Sequence, residues 1–72
     1  MTIDFEVANH IATITINRPE ALNAMTPDMY SKLSESWVEV RDNPEIWVAV
    51  VTAASQPNRP PEKQVFSAGA DL

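Results

Sequence analysis

Ile46-Trp47-Val48-Ala49-Val50-Val51-Thr52 is the stretch whose reading decides the fold. It is apolar almost without interruption and rich in β-branched residues. That pattern fits a strand covered on both faces, as in a parallel sheet, better than a half-solvated antiparallel strand. Just upstream, Thr26-Pro27-Asp28 supplies a helix start: Thr26 as the cap, Pro27 at the first helical position, Asp28 at the positive end of the dipole. Met29, Leu33, Trp37 and Val40 then recur every three or four residues as one apolar stripe, with Glu35, Glu39 and Arg41 off it. The helix should end near Asp42-Asn43-Pro44, because Pro44 disfavours helical geometry at Asn43. Trp37 and Trp47 read as core residues.

A helix feeding a parallel strand needs an earlier strand in the same sheet, joined by a right-handed crossover. The opening residues offer two. Ile3, Phe5 and Val7 alternate with Asp4 and Glu6; Ala12, Ile14 and Ile16 alternate with Thr13 and Thr15. Asn9-His10 reads as the hairpin turn between them, although His is less comfortable there than Gly and leaves the register open to a one-residue shift. Arg18-Pro19 ends the second strand. Downstream, residues 53–64 turn polar and carry Pro57, Pro60 and Pro61, so a mobile surface loop is expected before Val65-Phe66-Ser67 resumes extended structure. No internal repeat or domain boundary interrupts the chain.

The expected ββαβ unit leaves Ile11, one face of the 47–51 strand and the sheet edges uncovered. A 72-residue chain buries only about 60% of its unfolded surface, and without Cys no disulfide can compensate. The expectation is a piece that folds only against more protein. Five Lys and Arg against ten Asp and Glu give a net charge of −5, with the basic residues scattered. That argues against nucleic acid or an anionic membrane surface as partner. The longest apolar run is too short to span a bilayer, and Met1-Thr2-Ile3-Asp4 has no leader character. A cytoplasmic location is expected.

Much chemistry is excluded. With Gly69 as the single glycine, neither a dinucleotide fingerprint nor a P-loop can form. There is no Cys nucleophile, no serine in a G-x-S-x-G elbow, and one His cannot make a zinc site. Glu35 and Glu39 read as solvated, and His10 as part of its turn. Two segments remain: Ile14-Thr15-Ile16-Asn17-Arg18-Pro19-Glu20-Ala21-Leu22-Asn23-Ala24-Met25, and Phe66-Ser67-Ala68-Gly69-Ala70-Asp71-Leu72. The second, alone, could be only a strand-to-helix turn with Asp71 capping the next helix.

Taken in order, with a helix and a buried strand between them, the two segments resemble the crotonase (enoyl-CoA hydratase/isomerase) superfamily: an N-R-P-x-x-x-N-A turn followed by F-x-A-G-A-D-[LI]. The resemblance covers nearly the whole chain but only the opening part of a normal member. It implies an α/β fold, the N-terminal part of the crotonase-like ββα-superhelix, with residues 1–72 an incomplete portion of a single domain. It implies an acyl-CoA substrate and a homo-oligomer, a trimer or hexamer, for the full-length protein. No metal or separate cofactor is implied, coenzyme A being part of the substrate.

The resemblance also assigns roles. The backbone N–H of Ala68 would be one of two oxyanion-hole donors holding the thioester oxygen as an enolate forms, where small residues let a backbone donor approach closely. Ala21, Leu22 and Ala24 would lie along the CoA, and Ala68, Gly69, Ala70, Asp71 and Leu72 would shape its channel. Arg18 could meet a CoA phosphate or serve a structural ion pair. Hydration of a 2-enoyl-CoA is the expected reaction, and the acid/base groups belong to sequence beyond this chain, which alone would be inactive. A non-catalytic binding or assembly protein and an inactive truncated product are the alternatives. Two departures stand out: His10 where a Gly is usual, and the long proline-rich loop after Thr52 where a T-G-x-G turn is usual.

Overall fold

The computed structural model describes residues 2–70. Two alternating segments form β1 (Ile3–Ala8) and β2 (Ile11–Ile16), paired antiparallel from Ile3 opposite Ile16 to Ala8 opposite Ile11. In this register Phe5 faces Ile14 and Val7 faces Ala12, so the apolar residues of both strands share one side. The two-residue turn has positive φ at both centres, 53° at Asn9 and 67° at His10, the handedness that matches strand twist. No register shift occurs. The strain of a non-glycine residue at His10 is offset by three local contacts. Its Nδ1 lies 2.8 Å from the Glu45 carbonyl, its ring stacks on Trp47 at 3.9 Å and 5°, and its carbonyl accepts the Trp47 N–H at 2.8 Å.

Helix α1 (Pro27–Asp42) begins as the sequence requires. Thr26 Oγ1 accepts the Met29 N–H at 3.3 Å, and the Thr26 N–H in turn donates to Met29 Sδ at 3.4 Å. The helix ends one residue before Asn43, whose N–H still donates to the Glu39 carbonyl. Strand β3 (Val48–Ala53) then adds to β2 in parallel, Ile14 opposite Val51, completing a three-stranded sheet in the order β1-β2-β3.

Helix α1 packs on β1 and β2. The core is Ile3, Ile14, Ile16, Met25 and Met29, with Phe5, Leu33, Val40 and Ala53 packed against it. Two expectations fail here. The buried stripe of α1 turns through Ser36, which satisfies its hydroxyl on the Lys32 carbonyl, and Trp37 is 43% exposed. Likewise Trp47 is 72% exposed. Val48, Val50 and Val51 stay open too, in line with the uncovered strand face expected of these residues. The helix packs mainly against β1 and β2, and from β3 it is Ala53 that packs against the core cluster. Ile11 is also exposed, as expected.

Met29→Ala should destabilise the protein carrying this chain by about 2–5 kcal/mol, the usual cost of emptying a buried Met site. Trp37→Ala should cost less than about 1 kcal/mol. Denaturant midpoints of the two variants compare them directly.

Candidate functional site

After β2 the chain makes a compact double turn. Pro19 starts a single 3₁₀ turn (Pro19–Ala21), in which the Ala21 N–H donates to the Arg18 carbonyl and the Leu22 N–H to the Pro19 carbonyl. Leu22 and Asn23 then take left-handed conformations, φ 54° and 57°. Two successive non-glycine residues in that region need local compensation, and the Asn23 side chain supplies it. Fully buried, it accepts the Arg18 N–H on Oδ1 at 2.9 Å. Its Nδ2 donates to the Ala54 carbonyl at 2.9 Å and, more weakly, to the Val65 carbonyl at 3.4 Å. Arg18 closes the turn from outside, its guanidinium donating to the Ala24 carbonyl at 3.2 Å.

This turn is zipped to the 67–70 segment. The Ser67 hydroxyl donates to the Asn23 carbonyl at 2.8 Å, across 44 residues of sequence. The Ala68 N–H donates to the Leu22 carbonyl at 3.0 Å, and the Met25 N–H to the Gly69 carbonyl at 2.8 Å. Met25 and Ala70 form a parallel bridge. The two segments that carry the sequence resemblance are therefore adjacent strands of one small assembly. Ala21, Leu22 and Ala24 are half-buried in it, and Ala68, Gly69 and Ala70 are exposed. Asp71 and Leu72 lie outside the described residues.

The role assigned to Ala68 meets a direct obstacle. Its N–H is already committed to Leu22, and the Gly69 N–H donates to Ser67 Oγ at 3.1 Å. Among the described residues the Ala70 N–H has no acceptor. Its direction follows from the rigid amide plane: the Gly69 carbonyl, in the same trans peptide, points at Met25, so the Ala70 N–H points the opposite way, off the turn. Gly69 has φ 100°, which L side chains rarely adopt, and an added Cβ would meet nothing within 4 Å. The requirement for glycine there is conformational, and the space above it is open.

The 54–65 loop is not the mobile tether its prolines suggested. The Gln56 carboxamide pairs with the backbone of Val65, Oε1 accepting its N–H at 2.7 Å and Nε2 donating to its carbonyl at 2.9 Å. The Gln64 carboxamide does the same to the backbone of Gln56, at 2.7 and 2.9 Å. Two side chains thus replace the ladder that a hairpin would have. A cleft of about 320 Å³ separates this loop from the 19–22 turn, lined by Pro19, Glu20, Leu22, Gln56, Pro57 and Arg59 among others. Neither glutamine carried any signal in the sequence. Asn23 did, as the N of the N-A motif, though not as the hub it proves to be.

A family profile for enoyl-CoA hydratase/isomerase matches residues 6–72. The chain belongs to this family. It is 40% identical over all 72 residues to the (E)-benzylidenesuccinyl-CoA hydratase of Thauera aromatica, covering 25% of that protein. Among solved structures, an enoyl-CoA hydratase/isomerase from Mycobacterium paratuberculosis superposes with a TM-score of 0.82 at 41% identity. That match covers 99% of this chain and 25% of the other. An enoyl-CoA hydratase from Mycobacterium marinum gives a TM-score of 0.84 at 32% identity, covering 100% of this chain and 30% of the other. The fold is the N-terminal part of the crotonase fold, and the chain spans about a quarter of the length of these relatives. Among the described residues no helix is long and apolar enough to cross a membrane.

Replacing Asn23 by Ala takes one of two side-chain donors from the Ala54 carbonyl and the acceptor from the Arg18 N–H, and removes a residue tolerant of positive φ. A loss of about 2–4 kcal/mol is expected from two or more broken buried hydrogen bonds. Thermal unfolding of Asn23→Ala against the unaltered protein measures it. Gly69→Ala should cost about 1–3 kcal/mol through backbone strain alone, on the same readout.

Proposed function

We propose that the protein carrying this chain acts on acyl-CoA thioesters through an enolate held by backbone N–H donors, with hydration of a 2-enoyl-CoA as its reaction. The observation that carries this reading is the zipped pair of segments, in which the Ala70 N–H has no acceptor among the described residues and is aimed away from Met25 beside open space. A thioester oxygen gains negative charge as the enolate forms, and a pre-oriented donor stabilises that charge with no reorganisation. On this reading Ala70 supplies the donor and Ala68 a structural bond that holds the loop in place. Ala21, Leu22 and Ala24 line the path of the CoA. Coenzyme A belongs to the substrate, and no further cofactor enters.

Support comes from family membership and from relatives whose names specify hydration of a CoA ester. The remaining parts of the proposal follow the family resemblance. The 72 residues are the opening portion of one crotonase-like domain, the second donor and the proton-transfer groups come from elsewhere in that domain, and the protein assembles as a trimer or a pair of trimers in the cytoplasm. The open outer face of β3 is where the rest of the domain would pack.

An ester in place of the amide at Ala70, made by incorporating lactic acid, deletes the N–H and little else. In the full-length protein, kcat for a short 2-enoyl-CoA should fall by about 10²–10³-fold. The same exchange at Ala68 should lower thermal stability by more than the exchange at Ala70 does. An unchanged kcat in the Ala70 ester would overturn the assignment.

A further inference from the structure

We infer that Gln56, a residue of the long loop after β3, is a positioning residue for the 67–70 donor segment. The inference rests on the acyl-CoA reading above.

Gln56 is 4% exposed, and its carboxamide makes three bonds. Oε1 takes the Val65 N–H. Nε2 bridges the Val65 carbonyl at 2.9 Å and the Ala54 carbonyl at 3.1 Å. These are the same two carbonyls that Asn23 Nδ2 reaches from the turn on the other side. Two carboxamides, 33 positions apart in sequence by subtraction of their numbers, therefore clamp one pair of acceptors. One acceptor ends β3. The other opens the segment that continues through Ser67 to Ala70.

The geometry makes Gln56 the fixed point from which that segment starts. Beyond Val65, among the described residues, the path is held by the bonds of Ser67, Ala68 and Gly69 to the turn and by the Met25–Ala70 bridge. If Val65 slides, the 69–70 peptide, whose direction defines the donor, slides with it. Gln64 is a useful contrast. It joins the backbone of Gln56 to the Arg59 carbonyl and shapes the outer loop, but makes no bond to Val65 or beyond. A displaced donor lowers the rate without weakening binding of the distant parts of a substrate. Loss of Gln56 should accordingly appear in kcat, with KM largely unaffected.

Three variants of the full-length protein test this. Gln56→Met keeps length and removes every polar contact. It should lower kcat for a short 2-enoyl-CoA by about 10- to 100-fold with KM within about twofold, and speed amide hydrogen exchange at Val65 and Ala68. Gln64→Ala, which removes two bonds to the Gln56 backbone but none to Val65, should cost clearly less than Gln56→Met in kcat and in exchange at both amides. Gln56→Glu serves if the Met variant does not fold. Ionised, it presents only acceptors to two carbonyls; protonated, it regains a donor. Its pKa should be raised by burial and by those oxygens, so its kcat relative to the unaltered protein should recover as pH falls. Full kcat in Gln56→Met, an equal loss in Gln64→Ala, or a pH-independent deficit in Gln56→Glu would each overturn the inference. Inactivity of the unaltered protein toward every 2-enoyl-CoA would sink the functional reading instead, and the exchange measurements would still decide the role of Gln56.

Discussion

The buried carboxamide of Asn23 is the constraint on which the rest of the site depends. A side chain with no exposure must satisfy its donors and acceptor internally or cost several kcal/mol. Asn23 does so by reaching three separate parts of the chain: Arg18 at the end of β2, Ala54 at the end of β3, and Val65 at the start of the last segment. The parallel pairing of β2 and β3 brings the first two within reach of one residue, since both strands end on the same side of the sheet. The sheet therefore sets up the site, and the Asn locks it. With the left-handed backbone at Leu22 and Asn23, the Leu22 carbonyl receives the Ala68 N–H and the Asn23 carbonyl the Ser67 hydroxyl.

Polar side chains carry much of the tertiary organisation here, which is unusual for so small a core. The apolar cluster lies between α1 and the β1-β2 hairpin. At the carboxyl ends of β2 and β3 the cohesion comes from Asn23, Gln56, Gln64 and Ser67 instead. The division suits a binding surface. Directional bonds fix backbone positions while leaving the surface itself free of bulky side chains, so Ala68, Gly69 and Ala70 stand exposed without disorder of the loop beneath them.

The regular elements were legible in the sequence because their signals are local. Alternation gave β1 and β2, and Thr26-Pro27-Asp28 placed the start of α1 on the correct residue. The two motif segments were also legible, through likeness to a family. What escaped were properties set by nonlocal geometry. Trp37 was read as core from its spacing and Trp47 from its apolar run, but burial depends on what lies opposite, and both stand exposed here. The proline-rich loop was read as mobile because prolines mark turns; its order comes from two glutamines whose partners are eight and nine residues away. The donor role was assigned to Ala68 on the motif, and motif spacing cannot tell that the Ala68 N–H already donates to the Leu22 carbonyl.

The zip between the 22–25 turn and the 67–70 segment has a consequence for how the chain folds. A contact across more than forty residues carries a loop-closure cost that local turns do not. The hairpin and α1 can form from neighbours alone, whereas the outward carbonyls of Leu22 and Asn23 must wait for partners synthesised much later. A nascent chain with only the hairpin and helix outside the ribosome would carry a left-handed kink held by its local bonds alone. The surface that carries Ala68, Gly69 and Ala70 is thus the last part of this unit to acquire its shape, and its formation reports that β3 has already docked.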